Sequence, residues 1–168
     1  MEGIINYINY IAVACSALSL ILDIAAAAIP KWITFQEYQF GVWKFCDLVE
    51  CYDLKVYFIL NHLQEPDSLG AARAFLIISI LLMAGAIVLA VLKMFVMKDN
   101  SKLSIGAAGS AIAAGLILLV DAIVTATQII KNFEGLTADA LSSGFSLAIV
   151  SSVIAIIAGI LFFIGKNK

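Results

Sequence analysis

Residues 32–51 read WITFQEYQFGVWKFCDLVEC, and this stretch decides how the rest of the chain is read. Phe, Tyr, Trp, Val and Thr dominate it, the residue types that favour strands. Long apolar runs lie on both sides of it. Cys46 and Cys51 enclose Asp47-Leu48-Val49-Glu50, a length that suits a hairpin loop and brings the two thiols within disulfide reach across its arms. The alternative is a hydrophobic loop with two unrelated thiols. A loop this short gains only about 2 kcal/mol by constraining the unfolded chain. Its value would be to fix strand register.

Working outward, Phe40, Val42 and Lys44 oppose Gly41, Trp43 and Phe45 on the approach to Cys46. Beyond Cys51, Tyr52, Leu54, Val56 and Phe58 alternate with Asp53, Lys55 and Tyr57, the period of a half-buried strand. A short helix is expected from Tyr57 to Glu65, ahead of Pro66. A small antiparallel sheet is therefore expected between Lys31 and Gly70. Trp32 and Trp43 are the two tryptophans of the chain. Each suits either an interfacial anchor or the sheet's own core.

The flanking runs set the solvent. The chain has 168 residues, 63% hydrophobic and 13% charged, with a mean hydropathy of +1.06. Soluble domains are about 45–50% apolar and roughly 25% charged. Four apolar runs, about 4–29, 71–92, 103–130 and 141–164, each exceed the ~20 residues that span a bilayer. Each must be a helix, because lipid offers nothing to unpaired backbone groups. The first run lacks a basic start and is longer than a signal-peptide core of about 7–15 residues, so it reads as a retained helix that Pro30 ends. The fold class expected is an all-α transmembrane four-helix bundle carrying a small extracellular antiparallel sheet. One domain covers 1–168, with extracellular loops at about 30–70 and 131–140.

An even number of spans puts both termini on one side. Lys93, Lys98, Lys102, Lys166 and Lys168 fall on that side, and Lys31, Lys44, Lys55, Arg73 and Lys131 on the other, so the positive-inside rule ties at five each. The cysteines break the tie, since a disulfide persists in an oxidising compartment. The sheet is then extracellular or lumenal and both termini cytoplasmic. Cys15, inside the first run, reads as a small buried apolar residue.

The residues exclude several functions. A net charge of −2 cannot neutralise a run of phosphates, so nucleic acid is not an expected partner. The single histidine, His62, makes no metal cluster, and no glycine-rich phosphate loop follows a strand. Neither cofactor nor metal is expected, and the chain does not read as an enzyme. Within the spans, Gly106, Ser110 and Ala114 repeat every four residues, as do Ser151, Ala155 and Gly159. Small residues at this spacing let helices approach closely, within the bundle or between copies. Asp23 and Asp121 lie inside membrane runs, where an acid costs about 2.5–3.5 kcal/mol. Each is either a functional site or a protonated carboxyl bonded to a neighbouring helix. Arg73 sits at the outer boundary, within snorkelling distance of headgroups.

The order Trp32, then Gly41-Val42-Trp43, then Cys46 and Cys51 resembles the W–GLW–C–C signature of claudins and their relatives, the peripheral myelin protein and epithelial membrane protein group. Pro30-Lys31-Trp32 is similar to the start of that family's first outer loop. Leu69-Gly70-Ala71-Ala72-Arg73-Ala74 resembles the start of its second helix, and Gly115 to Phe133 its third. The departures are a shortened outer loop, Val124 and Asp121 where many claudins carry Trp and Pro, and a C-terminus, Gly165-Lys166-Asn167-Lys168, without a PDZ-binding end.

The resemblance implies a tetraspan protein of the plasma membrane at cell–cell contacts. Its outer sheet would act in adhesion or in forming a tight-junction barrier or paracellular channel. Its partners would be membrane lipid and itself or related tetraspans, in cis and in trans, with no PDZ scaffold expected. The alternative is an auxiliary subunit or trafficking regulator of a channel or receptor. In cation-conducting claudins the residue after the first signature cysteine can carry the selectivity charge. That makes Asp47 the leading candidate here, with Glu50 and Asp53 beside it. The outer loop, 31–70, holds six acidic residues against three basic, and a confined acidic surface concentrates cations.

Overall fold

The computed structural model describes residues 2–35, 37–60, 67–97, 100–132 and 140–166. Most of the second outer loop, the segment containing His62, Glu65 and Pro66, and Lys98 and Lys168 lie outside them. The helices are α1 (Glu2–Ala28), α2 (Leu54–Leu60), α3 (Asp67–Phe95), α4 (Ser101–Asn132) and α5 (Ser143–Ile164). The strands are β1 (Ile33–Phe35), β2 (Tyr38–Phe40), β3 (Lys44–Cys46) and β4 (Cys51–Asp53). Four helices contain spans long and apolar enough to cross a membrane: Asn6–Ala28, Leu69–Phe95, Ser101–Thr127 and Ser143–Ile164. The chain is a multi-pass membrane protein.

The long helices close a ring. α1 packs on α3 and α5, and α4 packs on α3 and α5. Their common interior is built from small residues: Ala12, Ala86, Ala107, Ala108, Ala111, Ala114 and Ala155 are all buried. Large aliphatics point outward, with Ile21 63% and Leu81 66% exposed, as expected of helices whose solvent is lipid. Both repeats of small residues lie along helix seams of the bundle, with Gly106 at an exposed edge. On α4, a Cβ at Gly106 would stand 3.3 Å from Leu89, Ser110 Oγ donates to the Leu82 carbonyl (2.6 Å), and the Ala114 carbonyl accepts from Ser79 (3.2 Å). All three therefore face α3. The trio on α5 divides between two neighbours. Ser151 meets Ser19 of α1, whereas Ala155 and Gly159 meet Gly115 and the Ala108 carbonyl of α4.

At the ends of α1 and the starts of α3 and α5 sits a four-stranded antiparallel sheet in the order β1-β2-β3-β4. Its registers are Ile33↔Phe40, Gln39↔Cys46 and Cys46↔Cys51. A bridge from Ile33 to Leu141 ties the sheet to the segment entering α5.

Two expectations need correction. The strand expected over residues 52–58 ends at Asp53, and α2 begins at Leu54. Asp53 is the cause: its Oδ1 accepts from the backbone N–H of Lys55 (2.9 Å), which is N-cap geometry. Leu54 and Tyr57 then share one face of a helix turn, and the Tyr57 ring packs 4.2 Å from that of Phe45. Lys93, expected in the inner link, lies instead in the last turn of α3, 9% exposed. Its ammonium donates to the carbonyl of Gly165 (2.9 Å), which Asn9 also approaches (3.4 Å), while Ser104 donates to the Phe162 carbonyl (2.8 Å). Carbonyls at a helix end have no partner within their own helix. Here α1, α3 and α4 each supply a donor to the end of α5.

Candidate functional site: the outer sheet and its seat on the bundle

The geometry gives each member of the 32–51 stretch a distinct task. Trp32 is 1% exposed and belongs to the cluster that plugs the outer end of the bundle, with Ala26, Val42, Leu76, Leu118, Ala122 and Ala148. Its indole N–H donates to the carbonyl of Ala26 (2.7 Å) in the last turn of α1. The backbone around it is equally committed. Trp32 N–H donates to the Phe40 carbonyl (2.9 Å), while the carbonyls of Lys31 and Trp32 accept from Gly144 (2.7 Å) and Ser142 (2.9 Å). Those last two bonds occupy donors at the start of α5, where the N-cap Ser142 makes no side-chain cap.

Gly41-Val42-Trp43 links β2 to β3 and fastens the sheet to α3. A Cβ on Gly41 would lie 2.6 Å from Pro30 Cα, so only glycine permits this approach of the two backbones. Val42 is 1% exposed in the plug. Its carbonyl accepts from Arg73 Nε at 3.0 Å, and the Arg73 guanidinium lies 5.2 Å from the centre of the Trp43 ring. Arg73 is therefore buried under Trp43 and does not snorkel to headgroups. The reason is the Val42 carbonyl, which a buried link between short strands leaves in need of a donor. The two tryptophans, equivalent on the sequence, have separated: Trp32 is core, and Trp43 is 37% exposed above a cation.

Past this seat, Cys46 and Cys51 are joined in a disulfide that closes the β3–β4 hairpin, and Cys15 is a free, half-buried thiol. Peptide mapping without reduction should recover Cys46 and Cys51 in one linked species and Cys15 as a thiol. Free thiols at both loop positions would contradict the oxidised hairpin. Within the turn, Asp47 Oδ1 accepts from the backbone N–H groups of Val49 and Glu50, both at 2.8 Å, forming an Asx turn. Those bonds, with Glu50 first and Val49 second, hold the Asp47 carboxyl below the ordinary carboxylate range. A hydrogen bond from the Tyr52 hydroxyl to Glu50, together with the Glu50 charge, raises the Tyr52 phenol. So Asp47, Glu50 and Asp53 all have structural duties: a turn, a hydroxyl partner and a helix cap. At the tip, Leu48 and Val49 are 72% and 85% exposed.

The intramembrane acids differ from each other. Asp23 is bonded to serines of α3 and α5. Asp121, 1% exposed, accepts from Thr125 one turn away (3.5 Å), and its Oδ2 has no partner among the described residues. Sequence reasoning missed Gly115, where a Cβ would lie 2.8 Å from the Ser152 carbonyl. The pair Ala111 and Gly115, four apart, was the available signal. No group of three or more His, Cys, Asp or Glu side chains is placed to hold a metal among the described residues.

A comparison with curated proteins finds no match. The family model described as the PMP-22/EMP/MP20/Claudin family matches residues 6–162, taking in the sheet, α3, α4 and most of α1 and α5. The chain belongs to the PMP-22/EMP/MP20/Claudin family.

Proposed function

We propose that this protein acts at cell–cell contacts, in adhesion or in building a paracellular barrier or channel, with its sheet outside the cell and both termini in the cytoplasm. The observation that carries the reading is the tip of the β3–β4 hairpin. Leu48 and Val49 stand exposed on a turn that a disulfide and Asp47 have already fixed. A surface rigid before it meets its partner loses little entropy on docking. The test mixes expressing with non-expressing cells. Accumulation where two expressing cells meet, lost in a Leu48→Ser, Val49→Ser double variant at unchanged surface level, supports contact in trans. A uniform surface distribution with a co-purifying channel or receptor favours the auxiliary-subunit reading.

We further propose that a path lined by this sheet prefers Na⁺ to Cl⁻, with Asp47 as the leading charge. Asp47→Asn is the informative variant, because its side-chain oxygen still accepts from Val49 and Glu50 while the charge is gone. Dilution potentials across an expressing monolayer should show the preference flattened in Asp47→Asn and reversed in Asp47→Lys. An unchanged ratio in both removes Asp47 from the mechanism. The pH dependence has a definite sign. A depressed carboxyl stays charged below the range where ordinary carboxylates protonate, so the preference should outlast acidification through that range. The turn follows the same rule. Its stabilisation by Asp47 is present above the unfolded value and lost as pH falls through the lowered folded one.

A further inference from the structure

Asp23 is buried within the bundle, 1% exposed, and oxygens from all four long helices gather around it. Ser151 Oγ on α5 is 2.5 Å from Asp23 Oδ1. Ser79 Oγ on α3 is 3.4 Å from Asp23 Oδ2 and 3.2 Å from the Ala114 carbonyl of α4. Ser151 Oγ also meets the carbonyl and the hydroxyl of Ser19 on α1, both at 2.9 Å, and Ser19 Oγ lies 3.1 Å from the Ser151 carbonyl.

Each hydroxyl has one proton to give, and a carbonyl can only accept. The contact between Ser151 and the Ser19 carbonyl uses the Ser151 proton. Ser19 gives its proton to Ser151 Oγ at 2.9 Å, nearer than the Ser151 carbonyl at 3.1 Å. Ser79 has its nearer acceptor in the Ala114 carbonyl. All three serine protons are then placed, and the shortest contact of the cluster, Asp23 to Ser151, still lacks one. We infer that Asp23 is a neutral carboxylic acid whose own proton is donated to Ser151 Oγ, pinning α1 to α5 in the bilayer interior.

Two other occupancies fit the distances worse. An ionised Asp23 would have to take the Ser151 proton. That would leave two oxygens 2.9 Å apart with no hydrogen between them. It would also leave a carboxylate met, among the described residues, by serines alone. A cation such as Ca²⁺ needs six to eight oxygens around it at about 2.3–2.6 Å. Here the oxygens stand at hydrogen-bond separations from one another, which fit protons and leave no hole for an ion. Asp121 is the other membrane acid, seven positions on from Ala114 along α4 and about 10 Å away by helix rise.

The test is infrared spectroscopy at neutral pH on the protein in lipid nanodiscs, with ¹³C-carboxyl-labelled aspartate to identify aspartate bands. An Asp121→Asn protein, which leaves Asp23 as the buried acid, should keep a protonated-carboxyl C=O band. Ser151→Ala in that background should move the band, because the acid loses its acceptor. Asp23→Asn should abolish it. Where Asp23→Asn fails to fold, the shift on Ser151→Ala carries the assignment. An Asp121→Asn spectrum with carboxylate bands alone, or a protonated band indifferent to Ser151→Ala, overturns the inference.

Discussion

Trp32→Ala should largely abolish delivery to the cell surface, whereas Trp43→Ala should leave most of it. Truncating a fully buried large aromatic costs about 3–5 kcal/mol, a large share of the 5–15 kcal/mol typical of a whole domain. Trp32 is also where the sheet, the end of α1 and the start of α5 meet, so its loss opens a cavity at a place all three share. Trp32→Phe separates shape from hydrogen bonding. It keeps most of the ring and removes the donor to the Ala26 carbonyl, a loss worth about 1–3 kcal/mol where no other donor reaches it. Trp43 covers a cation at a partly exposed site, an interaction of about 0.5–1 kcal/mol. Surface biotinylation and thermal unfolding in detergent should rank the variants Trp32→Ala, Trp32→Phe, Trp43→Ala in order of decreasing damage. Equal damage from Trp32→Ala and Trp43→Ala would contradict the division of labour between them.

Gly41→Ala and Gly144→Ala should be the most harmful of the glycine-to-alanine changes at the outer end. At Gly41 the added carbon meets backbone, 2.6 Å from Pro30 Cα and 3.1 Å from the Ile29 carbonyl, and neither can swing aside. At Gly144 it meets the Trp32 ring at 2.5 Å and the Lys31 carbonyl at 3.0 Å. Overpacking of this kind costs about 1–3 kcal/mol and sometimes more. Gly70 and Gly109 are the controls, since a Cβ at either meets nothing within 4 Å. There the change should be neutral or stabilising, because alanine is the better helix former by about 1 kcal/mol. Thermal shifts of the four variants would check this, and a Gly70→Ala protein as damaged as Gly41→Ala would refute the close-approach explanation.

The four helices were legible in the sequence because only a helix satisfies its backbone in lipid, and the apolar runs are long enough to leave no other choice. The hairpin was legible because two cysteines bracket a turn-length segment. The fate of residues 54–58 is not legible in the pattern, because alternation and a helix start compete there and one carboxylate decides between them. Asp53 as an N-cap outweighs the period-2 pattern that follows it. The role of Arg73 was hidden for a different reason. Its partner, the Val42 carbonyl, is a backbone atom 31 residues away, and side-chain patterns do not register backbone needs. The same holds at the inner end, where Lys93 answers the terminal carbonyl of a helix 72 residues on. Asp47, Glu50 and Asp53 have local duties that residue type and position alone do not show. Each is a hydrogen-bond acceptor, so charge-reversal at Asp47 disturbs the turn as well as the field.

The family places this chain among membrane proteins of one architecture, and the exposed, pre-fixed hairpin is what a contact protein would present to another cell. Freeze-fracture of otherwise junction-free cells expressing this protein alone tests that most directly. Continuous intramembrane strands or close-packed particle arrays confined to contacts between expressing cells are the expected result. Particles scattered over the whole surface, with no enrichment where two expressing cells meet, would contradict it.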